Sequence, residues 1–315
     1  MNKEYKSKME CLDMDSQPQI SVVIPTRNRK KILKKCLKAL NKQNYNFNKF
    51  EIVIIDDGSN QNNKEMIENL DLKPKINYTY QKQTGPAKAR NNGIKKAQGE
   101  YIIFIDDDII VNKKFINSHM KQHKENNKVI VHGPVIYTND LENPTSAEKK
   151  IRDFSNAFFA TGNASIKKEY LIKAGLFNER FDEYGWEDLE FGKRLKKLDL
   201  TAVQAEDAVG YHLKHSFSPD DIPGMRDREK QRGRMAVLYH DINPSFSVKL
   251  STLYWQPFLI LLEIFTIGNW PRTELTEKIV KFFHKNKMEQ LRNIFLYFIK
   301  LDAYLIGLKQ GYQDK

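Results

Sequence analysis

Three short runs of apolar, mostly β-branched residues each stop abruptly in a polar cluster, and this pattern narrows the available folds more than any other feature of the chain. The runs are Ile20 to Pro25, Glu51 to Ile55 and Tyr101 to Ile105, and they exit into Thr26-Arg27-Asn28, Asp56-Asp57-Gly58-Ser59 and Asp106-Asp107-Asp108. Runs of this kind read as strands buried on both faces. Helical spacing fills the gaps. Asn28 can cap a helix that turns Ile32, Leu33, Cys36, Leu37 and Leu40 inward, and Met66, Ile67 and Leu70 mark a second helix. Ile76 to Tyr80 supplies a further strand, and Pro86 opens a helix that Gly99 can close. Such alternation predicts an α/β fold with a mainly parallel sheet flanked by helices. Ligands of these sheets bind beyond the C-terminal strand edges, so the polar clusters share one address.

The acidic triplet suggests what binds there. Carboxylates crowded at a strand mouth repel one another unless a cation or solvent compensates. Oxygen ligands suit Mg2+ or Mn2+ rather than zinc or copper, and such a site completes its shell with water and substrate phosphates. The substrate is then phosphorylated. Taken alone, the triplet also fits a solvated acidic turn. No G-x-G-x-x-G follows the first strand and no G-x-x-x-x-G-K-S/T is present, which argues against NAD enzymes and P-loop NTPases.

A chain of 315 residues can hold one large α/β domain and an appendage. The expected division is a loose arm over 1–18, a main domain over 19–240 and a helical extension over 241–315. Within the main domain, about 19–110 is the nucleotide half and about 111–240 the acceptor half. Cys11 and Cys36 are too few for a disulfide framework, and Met1 to Pro18 lacks the apolar core of a signal peptide, so a reducing cytoplasmic setting is expected. The net charge of +12 favours anionic partners, and from Ile222 onward 15 Lys and Arg stand against 9 Asp and Glu.

Past Val129 to His132 the pattern loosens into a loop near Asn143-Pro144, the run Thr161 to Ile166 and a short helix closed by Gly175. Trp186 to Leu198 reads as a helix with Leu189, Leu195 and Leu198 inward, and Ala208 to Leu213 as a strand. Helices then dominate: Met225 to Tyr239, Leu250 to Ile267, Leu275 to His284 and Met288 to Leu308. Leu253 to Ile267 is apolar but contains Gln256, Pro257 and Glu263, and it falls short of the ~20 residues a spanning helix needs. A helical cap and a helix lying in a membrane interface, supported by Trp255, Trp270 and Arg272, both fit it.

Six motifs in one order carry a resemblance: Ser21-Val-Val-Ile-Pro-Thr-Arg-Asn28, Ile54-Ile-Asp-Asp-Gly-Ser59, Gly85-Pro-Ala-Lys-Ala-Arg-Asn-Asn-Gly93, Phe104-Ile-Asp-Asp-Asp108, Thr161-Gly-Asn-Ala-Ser165 and Trp186-Glu-Asp-Leu-Glu190. Over roughly Ser21 to His215 the chain resembles the family 2 inverting nucleotide-sugar glycosyltransferases of the GT-A (Rossmann-like) fold. The resemblance implies that Thr26 and Asp56 or Asp57 hold the nucleotide base, within a cluster that includes Arg27, and that Arg90 lies against base or diphosphate. It makes Asp106 and Asp108 the D-x-D pair, Asp106 nearer the ribose and Asp108 on Mn2+ or Mg2+, with Asp107 leaving the register ambiguous. His212 matches a late metal ligand, with His215 as its competitor. Asp188 becomes the general base that an inverting transfer requires, Glu187 and Trp186 orient the acceptor, and Gly162 and Asn163 line the sugar.

The implied partners are a nucleotide-diphosphate sugar, UDP-linked, and a glycan or lipid-linked acceptor in cell-surface polysaccharide synthesis. The C-terminal helices would allow peripheral association with the inner face of the plasma membrane, and no nucleic acid is expected. Two other readings exist. A sugar-phosphate nucleotidyltransferase would need a Gly-rich loop after the first strand, which is missing. A non-catalytic basic nucleic-acid or membrane-binding protein with a degenerate transferase domain sits badly with intact Asp106, Asp108 and Asp188.

Overall fold

A computed structural model describes residues 17–140, 143–144, 157–213, 217–254, 264 and 266–313. Most of the expected N-terminal arm with Cys11, His215, and most of Leu253 to Ile267 with Trp255 lie outside them. The chain divides into two units, Met1–Asp182 with Phe191–His215, and Glu183–Glu190 with Ser216–Lys315. The boundary expected from the sequence lies at 240; the division into compact units falls after His215, with the helix over Ile222–Ile242 in the second unit.

The first unit runs β1 (Ile20–Thr26), α1 (Lys30–Leu40), β2 (Phe50–Asp57), α2 (Asn63–Glu68), β3 (Lys75–Gln81), α3 (Pro86–Lys96), β4 (Tyr101–Ile105), β5 (Ile109–Val111), α4 (Phe115–Glu125), β6 (Val129–His132), β7 (Val135–Thr138), β8 (Asn163–Lys167) and α5 (Lys168–Lys173). After α6 (Glu187–Lys196) come β9 (Thr201–Gln204) and β10 (Gly210–Leu213). The main sheet has the order β3-β2-β1-β4-β8-β6-β9. β1 to β4 are mutually parallel, and β8 alone runs against both of its neighbours. All of β2 is buried, as its continuous apolar run requires. On α1, Leu33, Cys36, Leu37 and Leu40 recur at helical spacing and are buried in one core with Val22, Ile24 and Ile52 of the sheet. Each such burial is worth about 2 kcal/mol relative to exposure.

Two helix ends differ from expectation. Asn28 does not cap α1; its backbone takes φ 55, its N–H donates to Ser59 Oγ (2.8 Å) and its Oδ1 accepts from Asn60 N (2.8 Å), so Arg29 is the cap residue. Asn28 therefore ties the exits of β1 and β2 together. Nor does Gly99 close α3, which is capped by Ala97; a Cβ on Gly99 would stand 2.5 Å from the Ile20 carbonyl carbon. Similarly, α6 starts at Glu187 and not at Trp186, because Gly185 (φ 116) and Trp186 (φ 72) are both left-handed.

A smaller sheet has the order β5-β10-β7, with β10 antiparallel to β5 and parallel to β7. Its register sets His212 opposite Ile109. That pairing delivers a histidine beside the acidic triplet.

The second unit contains α7 (Ile222–Ile242), α8 (Phe246–Ser251), α9 (Glu274–Lys285) and α10 (Glu289–Gln313). Gly233 and Gly307 let α7 and α10 touch backbone to backbone, since a Cβ on Gly307 would meet Lys230 O at 2.0 Å. Ala236, Val237, Leu301, Tyr304, Leu305 and Leu308 fill the seam. Asp302, almost fully buried, is paired through both oxygens with Arg272 (2.8 and 2.9 Å). Among the described residues no helix is long and apolar enough to cross a membrane.

Candidate active site

The exits of β1 and β4 interlock. Thr26 Oγ1 donates to Asp107 Oδ2 (2.7 Å), and Arg29 Nη1 reaches both Asp107 Oδ1 (2.9 Å) and Asp108 Oδ2 (2.6 Å). Asp107 is consequently drawn inward and is 4% exposed. Burial pushes its carboxyl up to about 6, against the opposing pull of Arg29 and Thr26. Asp108 differs: burial works to raise it, but the His212 hydrogen bond and charge, followed by Arg29, outweigh burial and hold it below the usual range. His212 Nε2 lies 3.2 Å from Asp108 Oδ2. Burial works to lower the imidazole, yet Asp108, then Asp106, overcome it and raise it. Asp106 turns outward, its side chain 41% exposed and its Oδ1 3.4 Å from Arg90 Nη2. Gly162 flanks it, for a Cβ there would stand 3.5 Å from Asp106 Oδ2.

At the exit of β2 the two aspartates organise the loops. Asp56 is wholly buried and accepts from Ser59 N (2.9 Å), Asn63 Nδ2 (2.7 Å) and Tyr78 Oη (2.8 Å). Asp57 accepts from Gln81 Nε2 (2.8 Å), Thr84 N (2.8 Å) and Gly85 N (2.9 Å), which anchors the loop that feeds α3. Gly85 sits at φ 92, with room for no Cβ because Asp182 O is 2.1 Å from that position. From α3, Arg90 projects toward Asp106 and lies over the Phe177 ring (5.9 Å). Arg27 is exposed, and none of the described ion pairs is assigned to it.

Glu187, Asp188 and Trp186 belong to the second unit. Trp186 donates its indole N–H to Arg232 O (2.8 Å), stacks on Tyr239 (6.0 Å, 19°) and lies beneath the Arg232 guanidinium (5.2 Å). Its N–H is therefore spent within that unit. Glu187 is buried and accepts from Gly185 N (3.1 Å), fixing the turn that starts α6, and Asp188 follows half-buried in the first helical turn.

The model of glycosyl transferase family 2 matches residues 21–180, half of the chain. The protein belongs to glycosyl transferase family 2. Chondroitin synthase of Escherichia coli is 29% identical over 236 residues, covering 61% of this chain and 34% of that enzyme. The uncharacterized glycosyltransferase YfnE of Bacillus subtilis is 24% identical across 88% of this chain and 81% of its own length. The chain spans about a third of the E. coli chondroitin synthase (34%) and about a quarter of the one from Pasteurella multocida (26%). In fold it matches the mannosyltransferase PcManGT of Pyrobaculum calidifontis, solved with GDP-Man and Mn2+ (TM-score 0.61, 17% identity, 95% of this chain and 88% of that one). It also matches S. aureus TarS (TM-score 0.53, 20% identity, 94% and 92%). The architecture is that of GT-A glycosyltransferases.

Asn163, which the resemblance set along the sugar, has interior partners in the structure. The side chain is buried: Oδ1 meets His119 Nε2 (2.9 Å), and Nδ2 donates to Ala208 O (2.8 Å) and Pro134 O (3.2 Å). Asn163 thus clamps β8 to two loops and so holds Gly162 beside Asp106. The network continues through Ser165 Oγ, which meets His119 Nδ1 (2.9 Å) and His123 Nε2 (2.8 Å). Burial pushes His119 down to about 3 and His123 down to about 4, so both are neutral. Sequence reasoning gave these histidines no role. Their spacing of four on α4, matching alternate polar residues Asn163 and Ser165 on β8, was the available signal.

Arg29 was missed as well, because Arg27 stood nearer the strand end and only the turn at Asn28 decides which arginine reaches the acids. Among the described residues no three His, Cys, Asp or Glu side chains form a ready metal site. The donor set nevertheless fits a hard divalent cation. Asp108 Oδ1 is buried with no hydrogen-bond partner, an arrangement that leaves a carboxylate lone pair for a ligand. Asp106 and the His212 imidazole are the neighbouring donors.

Proposed function

We propose that this enzyme transfers a sugar, with inversion, from a nucleotide-diphosphate sugar, UDP-linked, to a glycan or lipid-linked acceptor in the synthesis of a surface polysaccharide or glycoconjugate. The observation that carries the reading is Asp108: a carboxylate kept ionised beside His212, with one buried oxygen left unbonded, at the strand edge where Arg90 and Asp106 also emerge. Asp108, Asp106 and His212 would hold Mn2+ or Mg2+, which when bound neutralises charge on the departing diphosphate. Arg90 offers donors to the diphosphate, Asp106 accepts from the ribose, and Asp57 with Thr26 lies nearest the base.

Support for the donor class comes from the neighbours: PcManGT is solved with GDP-Man and Mn2+, and TarS with UDP and with UDP-GlcNAc. The named synthases of the sequence relatives support a polysaccharide product. Asp188 takes the acceptor proton as general base, and Glu187, fixed by Gly185 N, sets the turn that presents it. Nucleotide release from UDP-, GDP- and dTDP-sugars with Mn2+ or Mg2+ tests the reading. Asp108→Ala and Asp188→Asn are each expected to lower turnover by roughly 10²-fold or more. Donor binding, read by calorimetry, is lost in the first and kept in the second. Full activity in both variants refutes the assignment.

A further inference from the structure

The C-terminal unit carries an exposed surface that the transfer chemistry does not use. Of the fourteen large apolar side chains exposed among the described residues, eleven lie from Phe246 onward. A surface so uneven calls for a partner. The clearest part of it spans α9 and α10, which are joined by a short turn.

On α9 the covered face is Thr276 and Val280, and the opposite face presents Leu275 (66% exposed), Lys278, Lys281, Phe282 (58% exposed) and Lys285. Glu274 is the one acid on that face, and it reaches Lys278 at 4.0 Å. On α10, Leu291, Ile294 and Tyr297 are exposed at successive steps of three, and Lys300 follows them. Beyond that point, Leu301 to Leu305 are buried. The open stripe therefore ends where the helix enters the core of its unit.

We infer that the exposed faces of α9 and α10 dock on an anionic phospholipid surface, the apolar side chains entering the headgroup layer and the lysines meeting lipid phosphates. Charge selects the occupant. A second copy of this chain would bring Lys278, Lys281 and Lys285 against their own images with only Glu274 on that face of α9, and Glu289 at the start of α10, to oppose them. Apolar side chains interleaved with long amines suit an interface in which the amines extend along the surface to the phosphate layer. The binding is peripheral, since no described helix can span a bilayer. It narrows the expected association of the C-terminal helices to α9 and the first turns of α10, while most of Leu253 to Ile267 lies outside the described residues.

The test uses the full chain with vesicles of phosphatidylcholine alone and of phosphatidylcholine mixed with phosphatidylglycerol, read by flotation. The chain is expected to float with the mixed vesicles, less so as salt rises, and not with phosphatidylcholine alone. Replacing Lys278, Lys281 and Lys285 by Gln is expected to weaken partitioning by roughly fivefold per lysine, on the order of 100-fold together. Phe282→Asp with Ile294→Asp is expected to abolish it. Nucleotide release in vesicle-free buffer stays unchanged in every variant, so a failure here is separable from a failure of the transfer reading. Three results overturn the proposal: a chain that ignores anionic vesicles, variants that float like the parent, or a dimer in light scattering that the same substitutions dissolve. Capture by an acidic protein with no response to vesicles overturns it equally.

Discussion

Acidification is expected to destabilise this protein from the inside, through His119 and His123. Both rings are hydrogen-bonded to Ser165 Oγ beneath β8, and burial lowers His119 to about 3 and His123 to about 4. A free histidine titrates near 6.5, so between these values the unfolded chain binds protons that the native state refuses. For a base with a depressed folded pKa, stability is whole above pH 6.5 and falls as pH drops below it. At pH 5 the unfolded chain favours the protonated ring about thirtyfold, while both native rings are still neutral. Each histidine then costs about 2 kcal/mol, about 4 kcal/mol for the pair, and this hardly depends on the native values once they lie below 5. That is a large part of the 5–15 kcal/mol typical of a domain. Urea unfolding at pH 8 and pH 5 measures it. His119→Gln with His123→Gln, less stable at pH 8, should lose about 4 kcal/mol less between the two pH values than the parent. His123→Gln alone should remove about half of the difference. An equal loss in parent and variants refutes the reasoning.

Two further outcomes follow from the cleft. Arg29→Met removes the guanidinium that shares Asp108 Oδ2, so Mn2+ binding without nucleotide is expected to tighten about tenfold in calorimetry, a value reduced for the partial exposure of Arg29; unchanged or weaker binding refutes the idea that Arg29 holds the cation's place. Gly85→Ala forces a side chain into a left-handed turn against Asp182 O, and a loss of at least about 2 kcal/mol is expected in urea unfolding. A loss below about 0.5 kcal/mol would mean that the turn is not needed.

Local signals were readable where charge bounded an apolar run. β4 begins and ends where the sequence placed it, at Tyr101–Ile105. What the chain hid was pairing. The insertion of β8 between β4 and β6, and the register that brings His212 to Asp108, depend on contacts between residues far apart in the chain that no local pattern encodes. Asn28 and Asn163 show a second limit. An asparagine offers the same amide to a helix end, a turn, a sugar or the interior, and only the backbone angle of the first and the burial of the second decide among them.

The reversed direction of β8 limits how this chain can vary. The backbone leaves the cleft at Ile105 and returns to it at Asn163, and those two residues are register partners. Everything between them is an excursion whose two ends pair side by side at the mouth of the cleft, and it carries Asp106, Asp107 and Asp108 at its start and Gly162 at its end. The described parts of the excursion are tied back along their length, β5 to β10 under His212, β6 to β8, and His119 and His123 to Asn163 and Ser165, so a shift of register in any of them would move His212 or Gly162 relative to Asp106 and Asp108.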